Sequence, residues 1–186
     1  MRIIAGAHKG LTLASVGKGD AGAHLRPTTD RVRESLFNLL INGGYGDPIS
    51  DARVLDLFAG TGALGLEALS RGAAHVTFVD DGAKSRALIR ENIEKCRAMG
   101  VTKLFRRDAT RLGLNRGAGF NLIFLDPPYG KGLGERALAS AFEGGWIADE
   151  ALIIWEESAE IAVPDDLALL DQRKYGDTKI AILRAD

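Results

Sequence analysis

From Ala52 onward, short apolar runs alternate with stretches whose apolar residues recur at helical spacing. The runs predict strands at 53–58, 75–79, 101–106, 120–125 and 151–156, with a closing pair near 167–174 and 178–184. The helical period predicts helices over 62–71, 82–98 and 132–143. Phe120-Asn121-Leu122-Ile123-Phe124-Leu125 is almost continuously apolar, the mark of a strand covered on both faces. Strands alternating with helices imply βαβ units. The expected fold class is therefore α/β, a seven-stranded, mostly parallel sheet with helices on both faces. The closing pair, joined around Tyr175-Gly176-Asp177, reads as an antiparallel hairpin.

The chain upstream has a different pattern. Residues 2–16 read as a short hairpin with Gly10 near its turn, and 17–26, with three glycines, as a mobile loop. A helix is expected from about Thr28, with Pro27 and two threonines as start signals. Val32, Leu36, Leu39 and Leu40 form its apolar stripe, while Arg31, Glu34 and Asn38 lie elsewhere, free for a ligand. Asn42-Gly43-Gly44 ends it. The chain thus divides into an N-terminal hairpin-and-helix extension, 1–44, and an α/β domain, 45–186.

At 186 residues and 46% apolar, the chain fits one domain plus a small extension. Cys96 stands alone, and His8, His24 and His75 are scattered, so neither a disulfide nor a metal site is expected. No apolar run approaches transmembrane length and no secretory h-region opens the chain, which points to a cytoplasmic protein. The net charge is only −1, but its distribution is uneven. Residues 1–33 carry Arg2, Lys9, Lys18, Arg26, Arg31 and Arg33 against Asp20 and Asp30, a balance of +4 (six bases less two acids). Residues 143–171 carry nine acids and no Lys or Arg. One end suits a phosphate backbone and the other repels it. Lys103, Arg106, Arg107, Arg111 and Arg116 make a second basic cluster, which a solvated face explains equally well.

Two stretches carry chemistry. The first strand runs into Asp56-Leu57-Phe58-Ala59-Gly60-Thr61-Gly62-Ala63-Leu64-Gly65, in which Gly60, Gly62 and Gly65 satisfy G-x-G-x-x-G. Asp80 closes the second strand, where an acid that accepts ribose hydroxyls belongs. Both features serve a nicotinamide cofactor or S-adenosylmethionine (SAM). Asp56 favours SAM, because a carboxylate beside a pyrophosphate is unwelcome but suits an ammonium and a sulfonium. Asp108 is an adenine-side candidate, through its carboxylate or the Asp108-Ala109 backbone, although Asp also caps helices. The second stretch, Asp126-Pro127-Pro128-Tyr129, emerges at the C-terminal end of the fourth strand, the edge at which open α/β sheets bind ligands. Two prolines hold the chain extended and remove two N–H donors. An acid, rigid carbonyl acceptors and an aromatic plane suit a planar ring bearing an amino group.

Together these motifs resemble SAM-dependent methyltransferases of exocyclic amines. The fuller resemblance is to the bacterial 16S ribosomal RNA guanine-N2 methyltransferases. It covers Met1–Gly6 through Lys9-Gly10, Arg26–Asn38 and Val54–Ala68. It implies a class I, Rossmann-like methyltransferase fold with SAM as cofactor. The implied substrate is one guanine of 16S rRNA, carried in a partly or fully assembled small ribosomal subunit, and the implied enzyme is a monomer. Asp56, Phe58, Ala59, Gly60, Thr61, Gly62, Ala63, Asp80, Asp81, Asp108 and Ala109 become the expected cofactor contacts. Asp126, Pro127, Pro128 and Tyr129 become the catalytic residues, and Arg2, Lys9, Arg26, Arg31 and Arg33 the RNA contacts. Arg26, Arg31 and Arg33 adjoin the helix start and have a second candidate role, closing over the cofactor. Asp80 departs from the Glu found in many relatives. Rival readings are an amine methyltransferase acting on another RNA, on DNA adenine or on a protein amide; a nicotinamide-dependent oxidoreductase, which leaves Asp126–Tyr129 without a task; and a non-catalytic RNA-binding protein.

Overall fold

The computed structural model describes residues 1–17 and 28–186. Its strands are β1 Arg53–Leu57, β2 His75–Val79, β3 Thr102–Phe105, β4 Phe120–Leu125, β5 Ile147–Glu157, β6 Leu167–Tyr175 and β7 Thr178–Ala185. The α-helices among the described residues are α1 Asp30–Asn42, α2 Ala63–Ser70, α3 Ala83–Lys95 and α4 Leu133–Glu143. The strands make one seven-stranded sheet in the order β3-β2-β1-β4-β5-β7-β6, with β7 antiparallel to both its neighbours. Alternate residues of the central strands face opposite layers. Val54, Phe78, Leu122 and Phe124 pack with α1, α2 and α3, whereas Leu55, Leu57, Ile123 and Leu125 pack with α4 and Trp146.

The expected elements are present, and their shifted ends have local causes. β5 starts four residues before the expected 151, because Ile147–Glu150 is a half-exposed stretch set off by Glu150 at φ 62° and a register shift against β4. That stretch has no apolar run to reveal it. α3 stops at Lys95 rather than 98, since Arg97 adopts a left-handed φ of 50°.

The N-terminal hairpin is reduced to one bridge, Arg2 with Thr12, flanked by Ile3 N–H to the Leu11 carbonyl at 3.0 Å and Gly10 N–H to the Ile3 carbonyl at 2.8 Å. The ladder does not continue because its donors go to α2. Ile4 N–H donates to Glu67 Oε1 at 2.8 Å, and Ala7 N–H to the Ser70 carbonyl at 2.8 Å. Ile3, Leu13, Leu36, Phe37 and Leu40 of the extension all enter the same cluster as one face of the sheet. In α1 the buried face is Arg33, Leu36, Phe37 and Leu40, rotated from the expected stripe, with the Phe37 ring 5.8 Å from that of Phe124.

Candidate functional site

β1 and β4 are adjacent parallel strands, with β2 beyond one and β5 beyond the other. The connections therefore diverge between them, and the crevice past their carboxyl ends is the position where such sheets bind ligands. Leu57 lies beside Leu125, so the loop from Phe58 and the loop from Asp126 leave the sheet next to one another. Leu125 in turn lies beside Trp155 of β5, which brings Glu156 abreast of Asp126.

The first loop is held by its backbone. Phe58 adopts φ 55° and Gly62 φ 80°, left-handed geometry that a non-glycine such as Phe58 adopts rarely and mostly where function demands it. A β-carbon at Gly65 would lie 2.6 Å from Phe78 Cε1 and 2.7 Å from Val76 Cγ1, so this glycine lets α2 close on β2. Asp80 receives Gly60 N–H on Oδ2 at 3.0 Å and Gly82 N–H on Oδ1 at 2.9 Å. The Ser85 hydroxyl also donates to this carboxylate, which keeps acceptor capacity for a ligand hydroxyl. Burial raises the Asp80 carboxyl above its ordinary range, with the Asp81 charge adding, against these three bonds. Ala59 donates to the Val79 carbonyl at 3.1 Å, Ala63 begins α2, and the Thr61 carbonyl accepts from buried Asn92 at 2.9 Å. Asn92 Oδ1 also receives Ala14 N–H at 2.7 Å, which ties this loop to the extension. Asp81 is exposed, with its carbonyl accepting from Arg86.

Asp108 is exposed and caps the short turn Ala109–Arg111. Its carboxylate accepts from Thr110 Oγ1 at 2.7 Å and Thr110 N–H at 2.9 Å, and these bonds hold its pKa low. Both bonds fall on Oδ1, so Oδ2 and the Asp108-Ala109 backbone remain the adenine-side candidates.

A cluster of acids lines the crevice. Asp56 is buried, with Oδ2 receiving Gly65 N–H at 3.1 Å, and burial pushes its carboxyl up to about 8. The Asp126 carboxyl is held well above the ordinary range, first by burial, then by the negative charges of Glu156 and Asp56, with Glu157 adding a little and the Thr28 hydroxyl opposing. Pro127 is buried, while Pro128 and Tyr129 are half-buried. The Tyr129 hydroxyl donates to Glu156 Oε1 at 2.7 Å and stands 3.3 Å from Thr178 Oγ1. Burial, with Glu156 beside it, raises the Tyr129 phenol well above its usual range. The Thr28 hydroxyl donates to Glu156 Oε2 at 2.9 Å, and Gly130 N–H to Glu157 Oε1 at 3.2 Å. Sequence reasoning missed Glu156 and Glu157, which entered it only as two of the nine acids in 143–171. The available clue was their place at the end of the strand next to β4.

The expected RNA contacts separate. Arg2, Lys9 and Arg31 are exposed, and Arg26 lies outside the described residues. Arg33 is corrected: its side chain is fully buried, donates to the Arg2 carbonyl, and pairs with Asp30 at 3.0 Å and Glu67 at 3.6 Å. A guanidinium sealed in this way holds the extension in place and cannot reach RNA. Arg107 leaves the second basic cluster for the same reason, lying over the Phe105 ring and donating to the Leu112 carbonyl at 2.7 Å. Lys103, Arg106, Arg111 and Arg116 stay exposed. Among the described residues no group of three or more His, Cys, Asp or Glu is arranged to hold a metal ion, and no helix is long and apolar enough to cross a membrane.

Residues 1–184 match the family model described as conserved hypothetical protein 95. The ribosomal RNA small subunit methyltransferase D of Escherichia coli (strain K12) is 45% identical over 141 residues, covering 75% of this chain and 68% of that protein. Among solved structures, Escherichia coli yhhF superposes with a TM-score of 0.84 at 36% identity, covering 100% of this chain and 98% of that one. SMU.776, solved in complex with SAH, shares the fold at a TM-score of 0.62 and 21% identity, over 82% of this chain and 49% of that one.

Proposed function

The chain belongs to the conserved hypothetical protein 95 family, and from that premise we propose that it transfers a methyl group from SAM to the exocyclic N2 of one guanine in 16S ribosomal RNA. At the coarser level it is a SAM-dependent ribosomal RNA methyltransferase with a class I fold. The observation that supports methyl transfer to an exocyclic amine is the meeting, at one sheet edge, of the glycine loop with Asp80 and the Asp126–Tyr129 segment, and the choice of guanine rests on the resemblance. The donor set fits the cofactor. Asp80 retains acceptor capacity for a ribose hydroxyl, and the carboxyl of Asp56 suits a cation rather than a pyrophosphate.

Bound SAM supplies an electrophilic methyl group on a sulfonium, which leaves as the neutral sulfide keeps the C–S electron pair. The guanine amino nitrogen is a weak nucleophile because its lone pair is delocalised into the ring. The Asp126 carboxylate and the Pro127 carbonyl accept its two hydrogens, favouring the pyramidal geometry that localises that pair. Tyr129 stacks on the base and fixes its distance and angle. Forming the N–C bond leaves a positive charge on nitrogen, and one proton passes to Asp126. Burial and the neighbouring acids raise the pKa of Asp126, which makes it a stronger proton acceptor than an ordinary carboxylate. The target base is flipped out or already unpaired, because a paired base hides this edge. Arg2, Lys9 and Arg31 face the RNA backbone, and the substrate is a small-subunit particle in the cytoplasm, met by a monomer.

The decisive experiment incubates the protein with SAM and small-subunit particles lacking this modification, then digests the RNA to nucleosides for mass spectrometry. N2-methylguanosine at one nucleotide is expected. Methylated adenine, or label in a protein side chain, would overturn the guanine assignment.

Two further outcomes test its parts. In calorimetry Asp80→Ala weakens SAM binding by roughly 1.5–3 kcal/mol, the range for hydrogen bonds to a charged group. NAD does not bind; comparable NAD affinity would return the site to the oxidoreductase reading. The double variant Arg2→Ala, Lys9→Ala weakens RNA binding and flattens the slope of log K against log salt by about 0.7–0.9 per lost phosphate contact, with SAM affinity unchanged. An unaltered slope would transfer the RNA-facing role to Lys103, Arg106, Arg111 and Arg116.

A further inference from the structure

Glu156 has no part in the chemistry set out above, yet it is the hub of the site's hydrogen bonds. Its residue is only 7% exposed and both carboxylate oxygens are occupied, Oε1 by the Tyr129 hydroxyl at 2.7 Å and Oε2 by the Thr28 hydroxyl at 2.9 Å. These donors come from separate parts of the molecule. Tyr129 lies on the loop after β4, and Thr28 on the segment that enters α1. Next to it, Glu157 receives the N–H groups of Gly130 and Ser158 at 3.2 and 2.9 Å, fastening the same loop to the end of β5. A buried carboxylate bonded only to hydroxyls is a poor device for stability, because hydroxyls offset little of its desolvation. What it does provide is direction. Carboxylate oxygens accept, so Oε1 draws the phenol toward it, while the Thr28 hydroxyl stands between Oε2 and Asp126. Tyr129 is thereby gripped at its hydroxyl, which fixes where the long axis of its ring lies.

On the methyl-transfer reading of this site, we propose that Glu156 is its positioning residue, fixing the Tyr129 ring for base stacking and joining it through Thr28 to the extension. Stacking geometry sets the angle between the amino nitrogen and the methyl carbon, so a small tilt of the ring lowers the rate without loosening the cofactor. Thr28 gives the extension a direct hold on that geometry. Seating of the extension on RNA is thus coupled to readiness at Tyr129. Glu156 is one of the groups that face Asp126; the others are Asp56 from β1, Glu157 from β5 and the neutral Thr28 hydroxyl.

The test measures single-turnover methylation of the small-subunit particle by the unchanged protein, Glu156→Ala, Glu156→Gln and Thr28→Val, with active sites counted by SAM calorimetry. Glu156→Ala lowers the rate per SAM-binding site by about 10²-fold, the scale of a misplacement near 1 Å, with SAM affinity unchanged. Glu156→Gln recovers most of it, since a glutamine carbonyl accepts from Tyr129 and its amide donates to the Thr28 oxygen. Thr28→Val gives an intermediate loss. With a negative charge removed from beside Asp126, the acid limb of the Glu156→Gln rate profile moves to lower pH. A purely structural Glu156 would reduce the number of SAM-binding sites while leaving turnover per site unchanged, and that result overturns the inference. Should Glu156→Ala turn over like the unchanged protein, the inference falls and the methyl-transfer reading stands. If the unchanged protein methylates nothing in the particle, both fall together.

Discussion

Asp126→Asn is expected to slow methyl transfer by about 10²–10⁴-fold, the range for losing a positioned proton acceptor, while SAM affinity stays near that of the unchanged protein. Asparagine keeps one acceptor oxygen but presents an NH₂ group, which opposes the amino hydrogens of the base and takes no proton. The loss is not one of folding. Asp126 has a folded-state pKa well above its unfolded value, so the folded protein binds the proton more tightly, and its stability falls as pH rises from the unfolded value through the folded one. An ionised Asp126 is therefore a burden on the fold, deprived of solvent and facing Glu156, and Asn removes that burden. The variant should melt no lower than the unchanged protein in thermal denaturation at neutral pH. The same shift sets the pH profile. Single-turnover rates of the unchanged protein should rise along an acid limb lying above the ordinary carboxylate range, because only the ionised form takes the proton. Near-normal turnover in Asp126→Asn, or an acid limb in the usual carboxylate range, would place the proton acceptor elsewhere.

The sheet was legible because its central strands are buried on both faces. Phe120–Leu125 is recognisable by apolarity alone, and Asp126–Tyr129 is conspicuous because polar and rigid residues follow that run directly. Asp80 was legible for the same reason, at the end of His75–Val79. Charge misled where burial reversed its usual meaning. Arg33 looked like a surface base, but at the helical spacing of Phe37 and Leu40 it turns into the core to meet Glu67. Glu156 and Glu157 belong to an acid-rich segment whose other members remain at or near the surface. Only the register of β5 beside β4 brings these two to the loop after β4, where they accept from Tyr129 and Gly130. Asn92 and Glu67 gave no local sign of their roles, because their partners are backbone groups 60 to 80 positions away: Ala14 for the one, Ile4 and Ala5 for the other. A period or a motif describes neighbours along the chain, and long-range polar bonds do not enter it.

Those long-range bonds make Glu67 the residue whose loss should most damage the fold. Its side chain is completely buried in α2, at the junction of the extension, α1 and α2. It receives Ile4 N–H on both oxygens at 2.8 and 3.2 Å and Ala5 N–H at 3.4 Å, and lies between Arg33 Nε at 3.6 Å and Arg71 Nε at 3.5 Å. Arg71 in turn lies over the Phe37 ring. Glu67→Ala removes the acceptor for two backbone donors and leaves the sealed guanidinium of Arg33 with half-exposed Asp30 as its remaining acidic partner. Breaking a buried pair in this way is expected to cost about 3–5 kcal/mol, mostly from the charge left behind. Glu67→Gln keeps an acceptor for Ile4 and removes the compensating charge, so it should fall between the two in chemical denaturation. The double variant Glu67→Leu, Arg33→Met removes both charges together and should be less destabilised than Glu67→Ala, because the sealed Arg33 charge is gone and only Arg71 loses its partner. If Glu67→Ala unfolded at the same denaturant midpoint as the unchanged protein, the extension would be held by Ile3, Leu13 and the apolar face of α1 alone. The ion network would then contribute nothing to seating it.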